Sequence, residues 1–196
     1  MSLRKSRSGS ELLSRANSTA LKTMKSGIAK IESVSVHVNP SNNSNSVKVV
    51  FDAIDPDCEG HDEYFQTSQA RWLDKAIGRL TYLFDHGNND EAIELFSKLP
   101  DPFTDTLDAE GKAIVFKTNE ELKQLRADYG ENQDFLWLED DSEQRQLVKV
   151  MDTKEYCDLV VKALTPLVGA KYFLQISPAN ENDNFQRVKA FKKASA

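Results

Sequence analysis

The stretch from Leu167 to Lys193 constrains this chain most, because it holds two runs of β-forming residues with a cluster of turn formers between them. Lys171–Ser177 and Asn184–Phe191 flank Pro178-Ala179-Asn180-Glu181-Asn182-Asp183, and that pattern predicts a β-hairpin. Alternation along the second run puts Phe185, Arg187, Lys189 and Phe191 on one side, and Gln186, Val188 and Ala190 on the other. In the first run Tyr172, Leu174 and Ile176 share an apolar face, leaving Lys171, Phe173, Gln175 and Ser177 opposite. Rings interleaved with cations suit single-stranded nucleic acid, since any base can stack on a ring while a neighbouring cation meets the phosphate. The same alternation also fits core phenylalanines beside cations solvated through their aliphatic stems.

A hairpin needs other strands to pair with, and the sequence offers them far upstream. Val34, Val36 and Val38 alternate with polar residues, while Ile31 is out of phase and marks a bulge. After the turn formers Asn39 to Asn45, alternation resumes with Val47, Val49, Phe51 and Ala53. Asp62–Gln66, carrying Tyr64 and Phe65, is a third strand, so 27–66 reads as an antiparallel meander. At Thr67-Ser68 the period becomes helical: Leu73, Ala76, Ile77, Leu80, Leu83 and Phe84 share a face, and Gly87 ends the helix. Asp90–Lys98 is a second helix, closed by Pro100 and Pro102. Thr118 with Glu121 forms a capping box opening a helix to Tyr129, with strand-like runs at Ala113–Phe116, Phe135–Leu138 and Gln146–Met151 around it. Asp152 with Glu155 caps a last helix to Leu164, with Tyr156, Val160, Val161 and Leu164 toward the core.

The 196 residues suffice for one sizeable core or two small ones. A net charge of −6 counts against a phosphate-rich partner, but the charge is unevenly spread. Residues 1–30 carry Arg4, Lys5, Arg7, Arg15, Lys22, Lys25 and Lys30 against Glu11 alone, so the other residues hold −12. Asn184–Ala196 is again basic. Ser8 and Glu11 have capping-box spacing, and Leu13, Ala16, Ala20 and Met24 follow as a narrow apolar stripe. Residues 1–26 therefore read as a basic arm and short helix that dock on another subunit or on phosphates, or as a solvated tail. With no apolar run long enough for a bilayer and no secretory signal, the expectation is a soluble, cytoplasmic chain without a membrane partner. Cys58 and Cys157, far apart and outside any paired motif, suit a reducing compartment.

Motifs for catalysis are missing from the sequence: it has no phosphate-binding glycine loop, nucleophile elbow or two-histidine metal helix. A non-catalytic protein without a cofactor is expected. Cys58 and His61 are spaced as half a zinc site, with His37, His86 and Cys157 as the other candidates. Asp105, Asp108 and Glu110 before Gly111 look like a calcium loop, yet Thr106 and Lys117 occupy its end positions, which favours a surface turn. Glu139, Asp140, Asp141 and Glu143 read as a solvated acidic loop.

Three strands, then helices, then a closing hairpin is the order of an α+β chain built on a five-stranded OB-type antiparallel barrel, with a long helical insertion between strands 3 and 4. The segments are 1–26 (arm), 27–66 (first three strands), 67–166 (helical elaboration), 167–193 (closing hairpin) and 194–196 (tail). The closing Leu167-Val168-Gly169-Ala170-Lys171-Tyr172, with Phe185-Gln186-Arg187-Val188-Lys189-Ala190-Phe191, resembles the last segment of phage-type single-stranded-DNA-binding proteins of that fold. Leu3-Arg4-Lys5-Ser6-Arg7-Ser8 before a short helix is similar to the arm with which the T4-like subgroup binds its neighbour cooperatively. The chain lacks that subgroup's Cys/His zinc cluster and ends Lys192-Lys193-Ala194-Ser195-Ala196 in place of an acidic tail. The resemblance implies a protein that coats single-stranded DNA in replication or recombination, in a host cytoplasm if phage-encoded, beside replication or recombination proteins. Lys171, Arg187 and Lys189 would then meet phosphates, and Phe173, Phe185 and Phe191 would stack on bases. Lys48 and Tyr64 would line the same groove, and Arg4, Lys5 and Arg7 would hold the next subunit. The competing expectation is a structural or adaptor protein of a virion or assembly, binding other protein chains through the arm.

Overall fold

A computed structural model describes residues 25–55, 62–130, 133–138, 141–177 and 187–193, with side chains for 27–55, 64–130, 133–138 and 143–174. It is an α+β structure with four helices and two antiparallel sheets among those residues. The first sheet is built on β1 (Lys25–Val38), whose length lets it serve two partners in succession. Its first part, Lys25–Lys30, pairs with β8 (Lys171–Ser177), and Ala29–Val38 pairs with β2 (Asn45–Ala53). Adding β3 (Asp62–Gln66) and β9 (Arg187–Lys193) gives the order β3-β2-β1-β8-β9, antiparallel throughout.

The phase break at Ile31 is a bulge: Ile31 pairs with Phe51 and Ser33 with Val50, leaving Glu32 as the extra residue. That insertion returns Val34 and Val36 to the side of the sheet that buries Ala29 and Ile31. The β1–β2 turn is fixed by asparagines. Asn39 Oδ1 accepts from Ser41 N (2.9 Å) and Ser41 Oγ (2.7 Å), Asn42 Oδ1 accepts from Ser44 N (3.1 Å), and Asn43 takes the left-handed φ of 54° that its side chain tolerates.

Between β3 and β8 the chain forms α1 (Ala70–His86), α2 (Asp90–Ser97), α3 (Asn119–Tyr129) and α4 (Thr153–Leu164). The strand-like runs at Ala113–Phe116, Phe135–Leu138 and Gln146–Met151 each overlap a strand there, and these pair into a second sheet that a purely helical elaboration does not include. Its centre is β7 (Asp141–Val150), with β6 (Gln133–Leu138) on one side and β4 (Phe103–Asp105) and β5 (Val115–Phe116) sharing the other. The six residues expected on the inner face of α1 are all buried, as are Tyr156, Val160 and Leu164 of α4, joined there by Cys157 and Ala163. Leu136, Phe103 and Val148 of the second sheet belong to the same core as Val47, Phe51 and Tyr172 of the first.

Gly87 ends α1 as expected, and the reason for a glycine there is space, not a left-handed backbone. Its φ is −75°, and the left-handed residue is Asn88 at 52°. A Cβ at position 87 would stand 2.5 Å from both Leu167 Cδ2 and Tyr172 Oη, so glycine is required for close approach. Tyr172 Oη donates to Leu83 O at 2.7 Å, and burial pushes its phenol well above the ordinary value. The end of α1 is thereby tied to β8. Closure of the expected barrel would need β3 against β9, and no such pairing occurs among the described residues; α1 packs against both strands.

Candidate nucleic-acid interface

The antiparallel registers assign each residue of the first sheet to one of two sides, since cross-strand partners share a face. One side holds Ala29, Ile31, Val47, Val49, Phe65, Tyr172 and Leu174, all buried. The outer side holds four residues read from the sequence as candidates: Lys48, Tyr64, Lys171 and Phe173. Lys171 is exposed, Lys48 and Phe173 are half-buried, and Tyr64 is 40% exposed.

These four form two groups. In the first, Ser35, Lys48 and Tyr64 follow one another across β1, β2 and β3. Lys48 Nζ lies 5.4 Å from the Tyr64 ring centre, and the His37 ring meets Tyr64 edge-on at 5.1 Å and 70°. The sequence signal for His37 in this role is its position two residues beyond Ser35, in the outward phase of β1. The second group lies farther back along β1, where Phe173 pairs with Ile28 and Lys171 with Lys30. Along β1 the groups lie five positions apart at Lys30 to Ser35 and seven at Ile28 to Ser35, about 16–23 Å at the usual strand rise. Beside the second group Lys30 Nζ and Asp52 Oδ2 pair at 2.8 Å, and that hydrogen bond and charge raise the Lys30 pKa.

The expected single row on β9 is broken by its register. Ala190 pairs with Gln175 but Val188 pairs with Ile176, so Lys189 is an extra residue and the alternation resets there. Phe191 pairs with Leu174, in the row of the buried side, whereas Arg187 pairs with Ser177 and Lys192 with Phe173, in the outer row. Phe185, Arg4, Lys5 and Arg7, like Cys58 and His61, lie outside the described residues.

Other chemistry-bearing groups are engaged in structure. Asp108 Oδ1 accepts from Glu110 N (3.0 Å) and Lys112 N (2.8 Å) around Gly111 at φ 75°, the surface turn expected there. Those amides, that of Lys112 first, hold its carboxyl below the ordinary range. Cys157 is buried against Thr67 Oγ1 at 3.4 Å, and burial pushes its thiol up, away from a reactive thiolate. Among the described residues no three His, Cys, Asp or Glu side chains are grouped to hold a metal ion, and no helix is long and apolar enough to cross a membrane. An open cleft of about 760 Å³ lies between the start of α1, the end of α3 and β6, lined in part by Gln69, Arg126 and Asp134, and it contains none of the expected site residues. Arg126 Nη2 stands 3.7 Å from Asp134 Oδ1, and Asp134 Oδ2 accepts from Ala70 N at 2.6 Å. Compared with protein-family models, curated proteins and solved structures, the chain matches none.

Proposed function

We propose that this protein is a non-catalytic binder of single-stranded DNA, which it holds along the outer face of the first sheet. The observation that carries the reading is the cluster of His37, Lys48 and Tyr64 on that face, in which the Tyr64 ring contacts both the His37 ring and the Lys48 ammonium. A ring gives any base a stacking surface and the ammonium meets a phosphate, so the affinity needs no particular sequence. Strand order supports the same reading. From edge to edge β3-β2-β1-β8-β9 is the neighbour order of an OB-type barrel opened between its third and last strands, with α1 filling the opening. In that fold the second and third strands bind oligonucleotides, and here they carry Lys48 and Tyr64.

Lys171 and Phe173 extend the track along β8, joined in the outer row by Arg187 and Lys192 of β9. The acidic total does not oppose this, because phosphates respond to the local field within about 10 Å at ordinary salt. Cooperative coating through the basic arm at Arg4, Lys5 and Arg7 completes the proposal.

Anisotropy of a labelled dT oligomer in dilute buffer tests it. Tyr64→Ala should weaken binding by about 1–3 kcal/mol, the usual worth of one base–ring stack. Lys48→Ala should flatten the dependence of log K on log salt by about 0.7, one phosphate contact on a single strand. Failure of the unaltered protein to bind the oligomer even in dilute salt would end this reading in favour of an adaptor binding other protein chains.

A further inference from the structure

Continuing from β3 into α1, the chain carries a second ring-and-cation group that the sheet does not include. Thr67 fixes the junction, donating from its N (3.3 Å) and Oγ1 (2.6 Å) to Asn45 O, so α1 starts beside the β1–β2 turn. Positions 72, 75 and 79 fall within about 60° of one another around the helix. Arg79 places this flank, since its guanidinium carbon lies 5.2 Å from the ring of Phe65 in β3. The flank therefore runs along the β3 edge, the strand that carries Tyr64. On it Trp72 is half-buried, with the Arg71 guanidinium carbon 4.7 Å and Lys75 Nζ 5.1 Å from its ring centre. Arg71 and Lys75 are exposed, and no carboxylate among the described residues lies within ion-pair distance of either. The first turn of α1 contains no acid.

We infer that Arg71, Trp72 and Lys75 form a second single-stranded nucleic-acid subsite, onto which an oligonucleotide leaving Tyr64 passes from the sheet to the helix. This rests on the reading of the sheet as the primary site. Eight positions separate Tyr64 from Trp72, so the two rings' backbones are no more than about 28 Å apart, within reach of one bound oligomer. Magnitudes favour exchange of partners at the ring. A cation held over an exposed ring is worth about 0.5–1 kcal/mol, and a stacked base about 1–3 kcal/mol. A base can thus displace one cation from Trp72 and leave it beside the phosphate that the base brings.

The chain has two tryptophans, so Trp137→Phe leaves Trp72 as its only tryptophan fluorophore. In that variant saturating dT of about sixteen nucleotides, the upper end of an OB-type site, should quench the emission, and in the converse Trp72→Phe variant the response should vanish. Arg71→Ala with Lys75→Ala should flatten the salt dependence for the long oligomer by about 1.4, two phosphates. It should leave binding of a short oligomer of about four nucleotides, the lower end of such sites, unchanged. Emission of Trp72 indifferent to an oligomer whose binding Tyr64→Ala still weakens would overturn this inference alone. Absence of any oligomer binding in dilute buffer would overturn both readings together.

Discussion

Arg145 is an arginine where a strand centre normally holds an aliphatic residue. It is 8% exposed, pairs across β7 with Trp137 and Phe116, and its guanidinium carbon lies 5.0–5.2 Å from the ring centres of Trp137, Phe116 and Phe135. No carboxylate among the described residues forms an ion pair with it. Nη1 donates to Asn119 Oδ1 (2.9 Å) and Nη2 to Lys117 O (2.8 Å), while Nε is buried without a partner. Rings and neutral oxygens contact the charge, and the Glu121 carboxylate couples to it without forming an ion pair, so Arg145 ties β7 to the start of α3 at a desolvation cost. Arg145→Ala removes two charge-assisted hydrogen bonds and the ring contacts, and should lower stability by about 2–4 kcal/mol in urea unfolding. Arg145→Met fills the space without burying a charge and should recover at least half of that loss. A methionine variant as unstable as the alanine one would show that the hydrogen bonds to α3, and not packing among the rings, hold this corner together.

At the scale of elements, α3 depends on its ends, because only Leu122 of its eleven residues is buried. Thr118 Oγ1 accepts from Glu121 N (3.2 Å), and Glu121 Oε2 accepts from Thr118 N (3.1 Å) and Lys117 N (2.7 Å). These amides, led by that of Lys117, hold the Glu121 carboxyl below its ordinary value of 4.5. A depressed folded-state pKa gives stability that is complete above the ordinary value and is lost as pH falls through the lower one. Urea midpoints for Glu121→Gln should therefore trail the unaltered protein's at pH 6, and the gap should close as the pH drops well below 4.5. A gap that persists undiminished at low pH would mean that the carboxylate charge contributes nothing. Such a box was legible in the sequence because it is written in four consecutive residues, and the faces of α1 and α4 were legible through their period. The β9 row was not. A bulge at Lys189 leaves no mark in an alternating sequence, so reading straight through it put Phe191 beside Arg187 when the pairing sets them in opposite rows. Lys48, Tyr64, Lys171 and Phe173 stayed together on one face because no phase break falls inside β2, β3 or β8 along the positions they occupy.

For the whole molecule, pattern gave the order of elements but not the partners of the middle segment. The runs Ala113–Phe116, Phe135–Leu138 and Gln146–Met151 did mark β5, β6 and β7. Phe103–Asp105 is too short to show a period, and the polar first half of β7 hides how far that strand extends to organise the second sheet. That sheet is no appendage. Leu136 and Val148 stand in one core with Ile31, Phe51, Leu80, Tyr156 and Leu174, so residues more than a hundred positions apart exclude water from one another. Burial shared between layers makes it costly to unfold one and leave the other, since the remaining layer would expose its apolar side. The two tryptophans report on different layers: Trp72 on α1 beside the first sheet, and Trp137 on β6 of the second, 43% exposed. Urea unfolding followed by emission in Trp72→Phe and in Trp137→Phe should give midpoints that coincide with each other and with the loss of helical circular dichroism, once the cost of each substitution is allowed for. An earlier transition at Trp137 alone would show that the second sheet melts as a separate unit, in which case the face carrying Lys48 and Tyr64 stands without its support.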